Sequence, residues 1–178
     1  MKRALASAVL ALLGLVTGCT SNPRESSVDQ EKLAAEVRAT LDDFHAAAAA
    51  ADGPRYFAHF APDGVFLGTD ATERWTVDAF KAYAKPHFDA GHGWTYHATE
   101  RHVGVDAQGA YAWFDEALEN AKLGPCRGSG VLRHEPSGWK IVQYNLTIPI
   151  PNDLALDVAA QIRQKLQGPV DAPPHQAR

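Results

Sequence analysis

From Val28 onward, apolar residues recur at helical intervals. Leu33, Val37, Leu41, Phe44 and Ala48 form one stripe of an amphipathic helix, the alanine run to Ala51 continues it, and Gly53-Pro54 ends it. "PRYFAHF" (54–60) reads as one or two further helical turns with Pro54 at the first position, "PDG" (62–64) as a turn and "VFLG" as a short strand. Thr76 is placed to N-cap a helix carrying Val77, Phe80, Ala84 and Phe88 on one side, with a kink or early end expected at Pro86. After Gly91–Gly93 the period changes from helical to alternating. Four strand-like runs follow, 94–105, 110–120, 126–135 and 139–148, joined by "DAQG", "KLGP" and "EPSG", links short enough for antiparallel hairpins. A last helix is predicted from Asp153 to Gln167, capped by Asn152 and stopped by Gly168-Pro169.

Helices first and a meander afterwards define an α+β domain, with amphipathic helices covering one face of an antiparallel sheet. The expected organisation is a leader over 1–18, a polar tether over 19–27, the domain over 28–150, a C-terminal helix over 151–168 and a disordered tail over 169–178.

The leader has a basic start at Lys2-Arg3 and a short uncharged apolar stretch, Ala4 to Val16, too short to span a bilayer comfortably. It ends in "VTGC", which resembles the lipobox of bacterial lipoproteins. That resemblance implies cleavage at Gly18-Cys19, acylation of Cys19 and anchoring to a membrane of the bacterial envelope, each buried methylene contributing about 0.8 kcal/mol. Thr20 after the cysteine implies the periplasmic side of the outer membrane in a Gram-negative cell. The chain has 17 basic and 21 acidic residues, and two of the basic ones lie in the leader, so no basic stripe is available for nucleic acid. With Cys19 acylated, Cys126 has no partner for an intramolecular disulfide.

The long first helix, "FAPDGVFLG", "GTDATERW" before a helix, and paired strands ending in "GWKIVQYNLTIP" resemble the SnoaL-like branch of the nuclear transport factor 2 (NTF2)-like superfamily over roughly residues 30–150. The resemblance implies a curved sheet wrapped around helices as a cone, a pocket at the open end, and homodimers through the outer sheet face. It does not choose among isomerases, dehydratases, cyclases and binders.

Chemistry is most conspicuous in "YAWFDEAL" (111–118), where two carboxylates interrupt an aromatic strand. Alternation places Glu116 with Ala112, Phe114 and Leu118 toward the helices, and Asp115 outward or at the rim. A carboxylate among apolar groups needs a partner, and pairing across "KLGP" suggests Arg127. In the last strand Trp139, Ile141, Gln143, Asn145 and Thr147 share a side. SnoaL-like proteins turn the face begun by the Trp and Ile toward the cavity, several with histidines where Gln143 and Asn145 stand. The amides keep hydrogen-bonding capacity without titrating near neutral pH, which weakens the case for acid/base chemistry. Gly128 and Gly130 read as a bend in the sheet, ahead of room for a ligand; register decides whether they or Arg127 and Ser129 face Gln143.

Asp70, Glu73 and Trp75 complete the candidate pocket set: Trp75 as a wall, Asp70 and Glu73 as acids, with a capping box as the plainer reading of their spacing. Asp70 and Glu116 are weak candidates for a general base. The eight histidines show no metal-ligand spacing, and no phosphate loop, GxSxG or CxxC is present, so no metal and no cofactor are expected. Cys126 reads as structural. The aromatic supply favours a lipid-anchored domain that binds a small, partly apolar molecule, ahead of an isomerase-like enzyme and of a dimeric interaction module.

Overall fold

The computed structural model describes residues 23–167, with side-chain surroundings from Asp29 onward. The leader, Cys19 and the tail after Gln167 lie outside the described residues. The elements are α1 (Pro23–Ala49), α2 (Gly53–Ala58), β1 (Phe60–Leu67), β2 (Arg74–Thr76), α3 (Val77–Asp89), β3 (His97–Val105), β4 (Tyr111–Asn120), β5 (Gly124–Glu135), β6 (Gly138–Thr147) and α4 (Ala155–Gln167). Six strands form one curved sheet in the order β2-β1-β6-β5-β4-β3, antiparallel throughout except for the β1–β6 pair.

The core lies where the concave sheet face meets α1, α2 and α3. Val37, Leu41, Phe44 and Ala48 are buried on α1, Phe80, Ala84 and Phe88 on α3, and Ala112, Phe114, Leu132 and Ile141 on the sheet. Apolar burial at these spacings is what holds the helices to the strands. Rings dominate the centre: Phe44 stacks on Tyr56 at 4.5 Å between centroids, and Phe66 on Phe80 at 4.1 Å.

Several ends differ from the sequence expectation. α1 begins at Pro23, ahead of the apolar period and inside the expected tether, with proline at a helical start where its missing N–H costs nothing. β1 takes in "PDG", with a register break between Phe60 and Val65 rather than a separate turn. Thr76 caps α3 by accepting from Ala79 N at 3.3 Å, and the helix runs past Pro86 to Asp89. α4 begins at Ala155 and buries none of its residues. Among the described residues no helix is long and apolar enough to cross a membrane.

Two hairpin turns are fastened by side chains. Asp106 Oδ1 accepts from Ala110 N and Tyr111 N at 2.7 and 2.9 Å, and Asn120 Oδ1 from Lys122 N and Leu123 N at 2.9 and 3.0 Å. The Asn120–Lys122 bond is an Asx turn, and both clasps set the hairpin registers on which the site depends.

α1 ends in paired bonds from Ala51 N to Ala48 O at 3.1 Å and from Asp52 N to Ala47 O at 2.9 Å, the Schellman pattern. Ala51 sits at φ 54°, a left-handed position glycine adopts without Cβ strain. Ala51→Gly is therefore expected to raise unfolding stability by about 0.5–1 kcal/mol, read as a shifted denaturant midpoint at unchanged slope.

Candidate functional site

A cavity of about 210 Å³ opens between the helices and the concave sheet. α1 contributes Phe44 and His45, α2 Tyr56, α3 Phe80 and Tyr83, β1 Phe66, and β6 Tyr144 and Leu146; the segment from Gly68 to Trp75, the link carrying Trp94 and Tyr96, and Leu123 between β4 and β5 supply further walls.

Behind the lining residues His45 and Tyr144 lies Glu116, 1% exposed and the buried charged residue of the described core. Its Oε1 lies 2.8 Å from His45 Nε2 and accepts the Tyr144 hydroxyl at 2.9 Å, while its Oε2 accepts Arg101 Nε at 2.7 Å. Arg101 is held in turn by Asp42 Oδ1 at 2.7 Å and the Arg38 carbonyl at 3.1 Å, leaving its buried Nη2 without a partner. Burial pushes the Glu116 carboxyl up, but donation and positive charge from His45 and Arg101 outweigh it and hold the group below the usual glutamate range. Burial, reinforced by the Glu116 charge, pushes the Tyr144 hydroxyl far up, so it remains a donor. Against an ionised carboxylate, His45 Nε2 must carry a proton. In the neutral ring Nδ1 is then the free lone pair.

Backbone geometry makes room for this cluster. Gly128 faces Glu116 across the β4–β5 ladder, and a Cβ there would collide with Tyr144 Oη and Glu116 Oε1. The glycine therefore serves the close approach of an internal side chain.

The sequence candidates separate. Glu116 is the inward acid of its pair; Asp115 lies on the outer face, 3.2 Å from His102 Nδ1. Arg127 is not Glu116's partner: it stands opposite Ala117 and is exposed, because the register is one residue away from the pairing expected across "KLGP". Arg101, directly opposite Glu116 on β3, takes that place. Gln143 and Asn145 are also turned away from the cavity. A bulge at Val142, between the Leu132–Ile141 and Val131–Gln143 pairs, reverses the alternation, so that Trp139 and Ile141 and then Tyr144 and Leu146 face inward. Glu73 and Trp75 line the cavity. Asp70 is exposed outside it, its carboxyl lowered by donation from Thr72 Oγ1 and Thr72 N at 2.6 and 2.8 Å. The Asp70–Glu73 spacing closes a loop turn, and Thr76 caps the helix instead. Burial pushes the Cys126 thiol up, which leaves it a poor nucleophile. Among the described residues no cluster of His, Cys, Asp and Glu could hold a metal ion.

The sequence profile of the SnoaL-like domain matches residues 37–151, which spans α1 from Val37 through β6. The chain belongs to the SnoaL-like family. No curated protein matches it. Solved structures similar to this SnoaL-like domain include an NTF2-like protein of unknown function from Pseudomonas putida KT2440, with TM-score 0.58 and 14% identity, covering 69% of this chain and 91% of that one. A cystatin-like fold protein from Burkholderia xenovorans LB400 gives 0.56 and 21%, covering 69% and 97%. A ketosteroid isomerase-like protein from Erwinia carotovora atroseptica gives 0.50 and 20%, covering 66% and 97%. At these identities the likeness establishes the NTF2-like fold.

His45, Arg101 and Tyr144 are the site residues that sequence reasoning missed. His45 follows Leu41 by one helical turn, at the edge of the apolar stripe, and that position was the available signal. Glu116→Gln is expected to cost roughly 3–5 kcal/mol at neutral pH, since it leaves Arg101 buried beside an uncharged amide. Because the folded state depresses the Glu116 pKa, its contribution is present above the ordinary value of 4.5 and is lost as pH falls through the folded value. Denaturant titrations across that acid range should show a shallower loss in Glu116→Gln than in the wild type.

Proposed function

We propose that the domain captures a small, largely apolar molecule in the cavity. The observation that supports this is an aromatic-walled cavity of about 210 Å³ whose polar groups gather at its floor and mouth, the usual composition of a ligand site. Glu116, fully paired and with a lowered pKa, is poorly suited to take a proton from a substrate, and Asp70 lies outside the cavity. We place the domain on a bacterial envelope membrane through acylated Cys19, facing the periplasm from the outer membrane if the cell is Gram-negative; "VTGC" supports this part of the reading.

One observation favours a second reading, an acid/base enzyme. Glu116 fixes His45 with Nε2 protonated, the arrangement by which a carboxylate orients an imidazole as general base. In that reading Nδ1 removes a proton from the bound substrate, and Glu116 stabilises the resulting imidazolium.

Native mass spectrometry of the protein purified gently from its own membrane fraction separates the outcomes. A retained small molecule, lost in Trp75→Ala and kept in the outer-face variant Gln143→Leu, is the expected result. An empty wild-type cavity in every preparation counts against the binding reading. For the second reading, ring opening of 5-nitrobenzisoxazole, a neutral aromatic probe that needs only a base, should be accelerated by the wild type and reduced at least about tenfold in His45→Gln. A rate equal to buffer in both proteins excludes His45 as a base in the cavity.

A further inference from the structure

The charge around the cavity is one-sided. Its lining contains no lysine and no arginine, and its carboxylate is Glu73. The basic residue next in sequence, Arg74, is exposed and outside the lining, between the lining residues Glu73 and Trp75. The Nε2 of His45 is taken up by Glu116 at 2.8 Å. A ligand carboxylate or phosphate brought into this space would lose water without meeting a cation, the costly arrangement for a buried charge.

The mouth has the opposite preference. Glu73 makes no ion pair among the described residues. Its Oε2 accepts one long bond, 3.3 Å from Asp70 N, and the carboxylate lies over Gly68, where a Cβ would displace it. Trp75 and Tyr83 line the same cavity as a tilted aromatic pair, with ring centroids 5.1 Å apart and planes at 33°, and His87 lies on Tyr83 at 5.5 Å between centroids. Tyr83 is 48% exposed although its ring helps line the cavity. A carboxylate without a counter-ion in the same lining as a partly exposed aromatic pair is the combination that recognises an ammonium group.

We propose that the cavity is selective for a small organic cation, an amine whose ammonium sits at Glu73 beside the Trp75–Tyr83 pair and whose apolar body fills the space toward Phe66 and Phe80. The assignment rests on the binding reading above and narrows it to a ligand class.

Three matched probes test it: phenethylamine, phenethyl alcohol and phenylacetate, alike in body and different in charge at neutral pH. Binding is read by calorimetry and by fluorescence of the lining tryptophans Trp75 and Trp94. The expected order is amine, then alcohol, then carboxylate, with amine and carboxylate separated by at least about tenfold. Glu73→Gln, at a loop position where folding can be checked by circular dichroism, should bring the amine to the affinity of the alcohol and leave the alcohol unchanged. Equal binding of all three, tighter binding of phenylacetate, or an amine preference that survives Glu73→Gln overturns the cation assignment while leaving a ligand cavity in place. Binding of none of the three overturns the assignment together with the reading on which it rests.

Discussion

A carboxylate cut off from water has to be met by donors, and Glu116 sets that requirement for the whole domain. Its partners come from α1, β3 and β6, so the helix layer and strands far apart in sequence must all be in place before the charge is satisfied. Left alone, an ion at this depth would cost several kcal/mol. The network answers that cost with two cationic or imidazole donors and a hydroxyl, and the neighbouring chain yields to it: Gly128 has no side chain where Glu116 and Tyr144 meet. Arg101 carries the constraint outward to Asp42 and the Arg38 carbonyl, tying the sheet to the middle of α1.

That arrangement also gives the cavity its character. The charge lies behind His45 and Tyr144, so the space above remains mostly aromatic while these two residues make its floor polar. Glu116 itself is fully met by its donors, and side chains held in this way lose less freedom when a ligand binds. The free acid is kept at the rim, on the Gly68–Trp75 loop, separate from the acid behind the floor.

The elements were legible in the sequence because their periods were long and clean. The α1 stripe, the Thr76 cap and four alternating runs with turn residues between them led directly to the α+β cone. The inward direction of Glu116 was likewise readable from its apolar neighbours. Its partner was not, because β4 is flanked by two hairpins and the sequence alone does not say which neighbour sets a cation opposite the acid. Folding the chain about "DAQG", where Asp106 fixes the turn, sets Arg101 opposite Glu116. His45 was obscured by its surroundings: a single imidazole at the margin of an apolar stripe looks like any half-buried helix residue until the strand beneath it is known.

The bulge at Val142 carries a consequence for descent within the fold. Alternation along a strand behaves as a parity, and one extra residue exchanges odd for even. The inward place two residues beyond Ile141 in an unbulged strand is filled here by Tyr144, three residues beyond, while Gln143 and Asn145 fall on solvent-side positions. A single-codon insertion or deletion in this strand could therefore exchange an amide floor for a phenol floor with every other element unmoved. Cousins of this domain can thus differ sharply in pocket chemistry while remaining superimposable.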